Sequence, residues 1–127
     1  MKKILLALAL TSLALVSCKE TDPDYAAGIE GKYTVQSYTI NGVAGTVTGE
    51  EYIELTKSSE SKVTYHQHLA GGDTTYNDVT VTSYSNAFHL KYTDDSDTLA
   101  ADESYKKLTV TVKNGVPANK ITLTAIR

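Results

Sequence analysis

Past Ile29 the chain alternates apolar and polar residues. Val63, Tyr65, Gln67 and Leu69 fall on one side of an extended segment, and Lys62, Thr64, His66 and His68 on the other. Phe88, Leu90 and Tyr92 oppose Ala87, His89 and Lys91. Leu108, Val110 and Val112 oppose Lys107, Thr109, Thr111 and Lys113, while Ile121, Leu123 and Ala125 oppose Lys120, Thr122 and Thr124. Neighbouring side chains of a strand point to opposite faces, so this period commits each segment to an antiparallel sheet with one face buried and one wet. Thr, Val, Tyr and Ile are abundant and no window carries a convincing 3.6-residue period, so helix content is expected to be very low.

The punctuation agrees. Asn41-Gly42 and Asn114-Gly115 each separate two patterned segments, and both residue types tolerate the positive φ of a tight hairpin turn. Ala70-Gly71-Gly72-Asp73 and Ser85-Asn86 mark two more turns. About eight strands are expected, at 31–40, 43–48, 50–57, 61–69, 74–84, 86–93, 104–113 and 119–127, with 94–103 an acidic loop holding at most a short strand or turn around Thr98–Ala100. Successive hairpins favour an up-and-down meander, so the expected fold is all-β, a small antiparallel barrel or a flattened β-sandwich.

Two breaks of parity bear on closure. Tyr33 and Val35 share one face, but Tyr38 and Ile40 share the other. An extra residue near Gln36-Ser37 would reset the register and bend the strand, as a small barrel requires. The same break recurs between Tyr76 and Val79-Val81. The alternative is a strand buried on both faces, or tyrosines that cover surface.

The N-terminus is of another kind. Lys2 and Lys3 precede an apolar run from Ile4 to Val16, which Ser17-Cys18 closes. A charged start, a short apolar stretch and a small-residue end are the parts of a secretory signal, and the run is shorter than the roughly 20 residues that span a bilayer. Leu15-Val16-Ser17-Cys18 resembles the lipobox of bacterial lipoproteins, which implies cleavage after residue 17 and a lipid on Cys18, the chain's one cysteine. Removing residues 1–17 from the 127 leaves 110, enough for one small domain. Those 17 carry two of the 12 basic residues and none of the 15 acidic ones, so the formal charge goes from −3 to −5. That balance argues against nucleic acid as a partner and assigns membrane attachment to the lipid alone.

Residues 18–28 are polar, acidic and broken by Pro23 and Gly28, the composition of a flexible tether about 30 Å long when stretched. Lys19, Glu20 and Asp22 resemble the surface-export signal of Bacteroidota lipoproteins, which implies an outer-membrane protein displayed outward, with a periplasm-facing position as the alternative. Residues 29–127 then form a single β domain.

Gly31-Lys32-Tyr33-Thr34-Val35-Gln36-Ser37-Tyr38-Thr39-Ile40-Asn41-Gly42 resembles the opening strand of lipocalin-like proteins, with Tyr33 where those families place tryptophan. The resemblance implies a calycin-type barrel whose base is closed by a basic residue of the last strand over that ring. Arg127 is placed for that part against Tyr33.

Candidates for chemistry are few. His66-x-His68 puts two imidazoles on one strand face about 6.7 Å apart at Cα, which would chelate zinc only with a third ligand from a neighbouring strand. His89 is too distant in a meander, Asp78 depends on the parity break, and no metal or cofactor is expected. Asp94, Asp95 and Asp97 offer oxygen ligands but lack the glycine and distal glutamate of a calcium loop. Glu51 and Glu54 fall on opposite faces, and Gly71-Gly72 lacks the strand-to-helix setting of a phosphate loop. The expectation is a non-catalytic protein.

Two functions fit. One is a carrier of a small apolar or amphipathic ligand, with Tyr65, Gln67 and Tyr92 inside a calyx as polar groups that need partners. The other is a structural or protein-interaction module with a filled core, to which nine tyrosines are suited because each joins contact area to a polar tip.

Overall fold

The computed structural model describes residues 24–115 and 117–127. The expectations for the signal segment 1–17 and for Cys18, Lys19, Glu20 and Asp22 therefore lie outside the described residues. A short helix α1 (Tyr25–Ile29) precedes nine strands: β1 (Gly31–Ile40), β2 (Val43–Ala44), β3 (Tyr52–Ser59), β4 (Lys62–Leu69), β5 (Gly72–Tyr84), β6 (Ala87–Thr93), β7 (Thr98–Ser104), β8 (Lys107–Asn114) and β9 (Asn119–Ile126). Each strand from β3 onward pairs antiparallel with the next, and β3 pairs with β1. β9 then returns to β1, from Thr34 opposite Ile126 to Ile40 opposite Ile121. Eight strands thus close a meander barrel, and β2 is a short addition to the end of β1. Closure leaves no long unpaired edge.

Both parity breaks are register shifts. Val35 faces Ala125 but Ser37 faces Thr124, which leaves Gln36 as the extra residue of β1. Between Val63 opposite Val79 and Tyr65 opposite Tyr76, Asn77 and Asp78 face Thr64 alone, with Asp78 at φ 58°. These bulges bring Tyr33, Val35 and Tyr38 of β1, and Tyr76, Val79 and Val81 of β5, into one core.

Three expected segments differ. The stretch 94–103, read as an acidic loop, supplies most of β7, in which Leu99, Ala101 and Glu103 are buried between β6 and β8. One leucine, one alanine and a carboxylate make a faint inner face, and the backbone pairing of two flanking strands decides the matter. Glu103 is tolerated inside because its Oε1 accepts the Lys106 N–H at 2.9 Å. Conversely, the strand expected at 43–48 stops at Ala44: the Gly45 N–H donates to Tyr38 O, and Gly45 lies so close to the Tyr38 ring that a Cβ there would fall 2.0 Å from it. Finally, Tyr25–Gly28 belong to α1 and not to a tether. Asp24 caps this helix by accepting the Ala27 N–H, and Ala26 and Ile29 are fully buried. Burying one isoleucine stabilises by roughly 1.5–3 kcal/mol, which anchors a helix too short to persist alone.

α1 sets the polarity of the barrel. It lies across the end formed by the β3–β4, β5–β6 and β7–β8 turns: the Ala26 N–H donates to Glu60 O, and Gly28 abuts the Phe88 ring. That end is plugged. The opposite end, with the β1–β2, β4–β5, β6–β7 and β8–β9 connections, has no such cover among the described residues.

Candidate functional site: a filled interior and an outer trough

At the plugged end the Tyr33 hydroxyl donates to Ile29 O at 2.7 Å and so ties β1 to α1. The Arg127 guanidinium lies over the Tyr33 ring, 5.4 Å from its centroid. It also donates from Nη1 to Glu30 O at 2.9 Å and from Nη2 to Gly28 O at 3.3 Å. Burial pushes the Tyr33 phenol up to about 12, against the opposing charge of Arg127.

Higher in the barrel, Tyr65 and Gln67 both point inward and are buried. They satisfy one another: the Tyr65 hydroxyl donates to Gln67 Oε1 at 2.7 Å. Burial also pushes the Tyr65 phenol up. Its ring packs on Tyr76, whose ring meets Tyr92 at 4.8 Å. Tyr76 is pushed up to about 12, first by burial and then by its hydrogen bond to Asp97. Tyr92 is only half-buried, and its hydroxyl donates to Asp94 at the rim. The space left at the open mouth is about 190 Å³, bordered by Tyr38, Ile40, Gln67, Leu69, Asp73 and Ile121. That is below the roughly 300–1,000 Å³ of small-molecule sites.

The larger concavity is outside. A trough of about 610 Å³ runs over the outer face of β5–β8, floored by Ala100, Thr109 and Thr111 and flanked by Thr80, Thr82 and Lys91. Ala100, Thr109 and Thr111 on β7 and β8 are short beside Tyr84, His89 and Lys91, which produces the step. At one end Tyr84, 65% exposed, stacks on His89 with centroids 3.9 Å apart. His89 Nδ1 bonds the Asp102 carboxylate, and its Nε2 is covered without a hydrogen-bond partner among the described residues. Sequence reasoning missed this site because Asp102 was assigned to a loop, so its pairing opposite His89 was invisible.

The other candidates are structural. His66 and His68 share an outer face, and the third group that reaches them is Asp73, across the β4–β5 hairpin. His68 Nδ1 bonds Asp73 Oδ1 at 2.6 Å, and His66 Nε2 lies 3.3 Å from Oδ2. Neither His89 nor Asp78 joins this pair. The carboxylate stands between the rings, and Tyr52 stacks on His68. No group of three such side chains is arranged to hold a metal ion among the described residues. In the β6–β7 loop, Asp94 Oδ1 accepts the Ser96 and Asp97 N–H groups, which with the Tyr92 bond holds its carboxyl below the usual range. Asp97 accepts from Tyr76 and from the Gly115 N–H. These carboxylates brace turns and do not converge on one point. Glu51 likewise clamps its own approach, accepting from the Thr48 hydroxyl and the Thr48 and Gly49 N–H groups, while Glu54 is exposed on the outer face. The Thr48 hydroxyl is the main cause that lowers the Glu51 carboxyl.

Together these features define a small closed antiparallel meander barrel, plugged at one end, with a filled interior. No protein-family model matches the chain, and no curated protein matches it closely. Among solved structures it is similar to a Bacteroides fragilis protein titled a "putative outer membrane protein", with a TM-score of 0.66 at 15% identity. The alignment covers 82% of this chain and 53% of that one, so the chain spans about half the length of its structural neighbour. At that identity the likeness is one of fold.

Proposed function

We propose that the chain is a lipid-anchored outer-membrane protein whose barrel is a non-catalytic recognition module, working through its outer trough on a protein partner. The observation that carries this reading is the contrast of two spaces. The interior closes on itself through the Tyr65–Gln67 bond, while the concavity of ligand size lies outside, beside an exposed tyrosine. Exposed Tyr84 at the rim of a concave, hydroxyl-lined face supplies the aromatic contact area in which interfaces are enriched. The lipobox-like segment ending at Cys18 supports the anchor. The likeness to a Bacteroides fragilis outer-membrane protein supports an outer-membrane position, and the export-like Lys19, Glu20 and Asp22 support its facing outward.

The carrier reading would need the mouth beside Gln67 to open well beyond 190 Å³. A photo-crosslinking residue placed at Tyr84 in cells should give a discrete adduct, and the same residue at Glu54, on the far side of the barrel, should not. Equal adducts at both positions would sink the trough. Saturable one-to-one binding of a fluorescent fatty acid to the folded domain, with a rise in melting temperature, would restore the carrier. Cys18→Ala should move the protein out of the membrane fraction, and mass spectrometry of the mature N-terminus should find acyl chains on Cys18.

A further inference from the structure

The formal charge of the mature chain is unevenly placed over the closed barrel, with the acidic excess at the open end. The plugged end collects Lys57, Lys62, Lys106, Lys107 and Arg127 against Asp24, Glu30, Glu103 and the turn residue Glu60, close to balance, while Lys32 leans over Tyr52 opposite Glu54. The open end collects Glu50, Glu51, Asp73, Asp94, Asp95 and Asp97 against Lys113 and Lys120. Among the described residues, Lys62, Lys106 and Lys107 enter no ion pair, whereas Lys57 is paired with Asp24.

The β7–β8 turn is the most prominent feature of the plugged end. Tyr105 is 91% exposed, the most exposed large hydrophobic side chain of the barrel, and Lys106 and Lys107 follow it. Tyr105 and Lys106 sit at φ 52° and φ 68°. A two-residue hairpin of this kind favours Asn-Gly, and a bulky residue in the left-handed region is held there at a cost. Such local strain is a motive to look for function. An aromatic ring next to lysines is the chemistry found where proteins meet lipid headgroups.

Chain length supplies the partner. The described fold begins at Asp24, six residues after Cys18, and six residues reach about 20 Å at most. α1 is the plug, so the anchor leaves from this end. We propose that the plugged end, led by Tyr105, Lys106 and Lys107, docks on the anionic surface of the bilayer that holds the anchor, and that the acidic mouth points away from it. The whole-chain charge taken alone predicts repulsion; the acidic excess lies at the open end, and the unpaired lysines of the β7–β8 turn are the charges that face the headgroups. The trough over β5–β8 is then held upright beside the membrane and open to partners from the side.

This surface rests on the lipid anchor read at Cys18, so the test supplies that anchor chemically. The chain from Cys18 onward is coupled through its thiol to a maleimide lipid in phosphatidylcholine–phosphatidylglycerol vesicles. Because the protein has no tryptophan, Tyr105→Trp and Val43→Trp give single reporters at the plugged and open ends. Brominated lipids should remove most of the emission of Tyr105→Trp and leave Val43→Trp unchanged. Adding Lys106→Glu and Lys107→Glu to the first variant should restore its emission, as should vesicles of phosphatidylcholine alone. Equal quenching at both ends, or none at Tyr105→Trp in a chain with native far-UV dichroism, would overturn the docking surface. An unacylated Cys18 in cells would overturn the anchor while leaving that quenching as it is, so the two failures are distinguishable.

Discussion

Arg127, the last residue of the chain, lies over the ring of Tyr33, the third residue of the first strand, and closes the barrel where its two ends meet. The guanidinium stacks on the ring and spans two carbonyls, Glu30 O and Gly28 O, that α1 leaves without helical partners. One side chain thereby joins the C-terminal strand, the first strand and the plug.

Replacing it should loosen all three. Arg127→Ala is expected to cost about 1–3 kcal/mol, from charge-assisted hydrogen bonds and a partly exposed cation–π contact. Urea denaturation of the domain would measure this, and Arg127→Lys should recover only part, because an ammonium cannot reach both carbonyls and the ring together.

The interior bond gives a second prediction. Tyr65→Phe leaves Gln67 Oε1 buried without its donor and should cost about 1–3 kcal/mol. Tyr65→Phe with Gln67→Leu removes both polar partners and should regain most of that loss in a double-mutant cycle. A double variant no better than the single would mean that water already serves Gln67.

Alkaline pH should weaken the fold. Unfolded tyrosine ionises near 10, whereas Tyr33 and Tyr76 in the barrel are pushed up to about 12. Between those values the unfolded chain has released protons that the folded chain still holds, so stability falls as pH rises. The contribution is complete below pH 10 and is lost as pH climbs through the folded values. In that window each such tyrosine contributes a slope of up to about 1.4 kcal/mol per pH unit. Tyrosinate absorbance, free of tryptophan background, should show Tyr33 and Tyr76 ionising above the range of free tyrosine. Tyr33→Phe should flatten the loss of stability.

The β7–β8 turn should trade stability against membrane contact. Tyr105→Asn with Lys106→Gly relieves two left-handed residues and should raise stability by about 1–2 kcal/mol. The same change should abolish association of the plugged end with anionic vesicles. A more stable variant that still docked would assign the contact to other residues of that end.

Several features were legible because they are local. The alternation of β4, β6, β8 and β9, the Asn41-Gly42 turn and the bulge at Gln36 all follow from the two-residue period and from which residues accept positive φ. The approach of Arg127 to Tyr33 follows from a resemblance in the twelve residues from Gly31 to Gly42, not from the spacing itself. β7 was not legible: Thr98–Ser104 has too little apolar surface to announce a strand, and becomes one because β6 and β8 leave a gap one strand wide. The outer trough was hidden for the same reason, since Asp102 reaches His89 only through that pairing.

Side-chain period and turn chemistry, which act over a few residues, determined that this chain forms antiparallel hairpins with one apolar face. Closure was decided by tertiary structure. β9 meets β1 across more than 80 residues, and only that contact fills the interior, places α1 as a plug and gathers the acidic excess at the open rim. Charge position in space is set by which strand ends share a rim, and a sum along the chain carries no record of it.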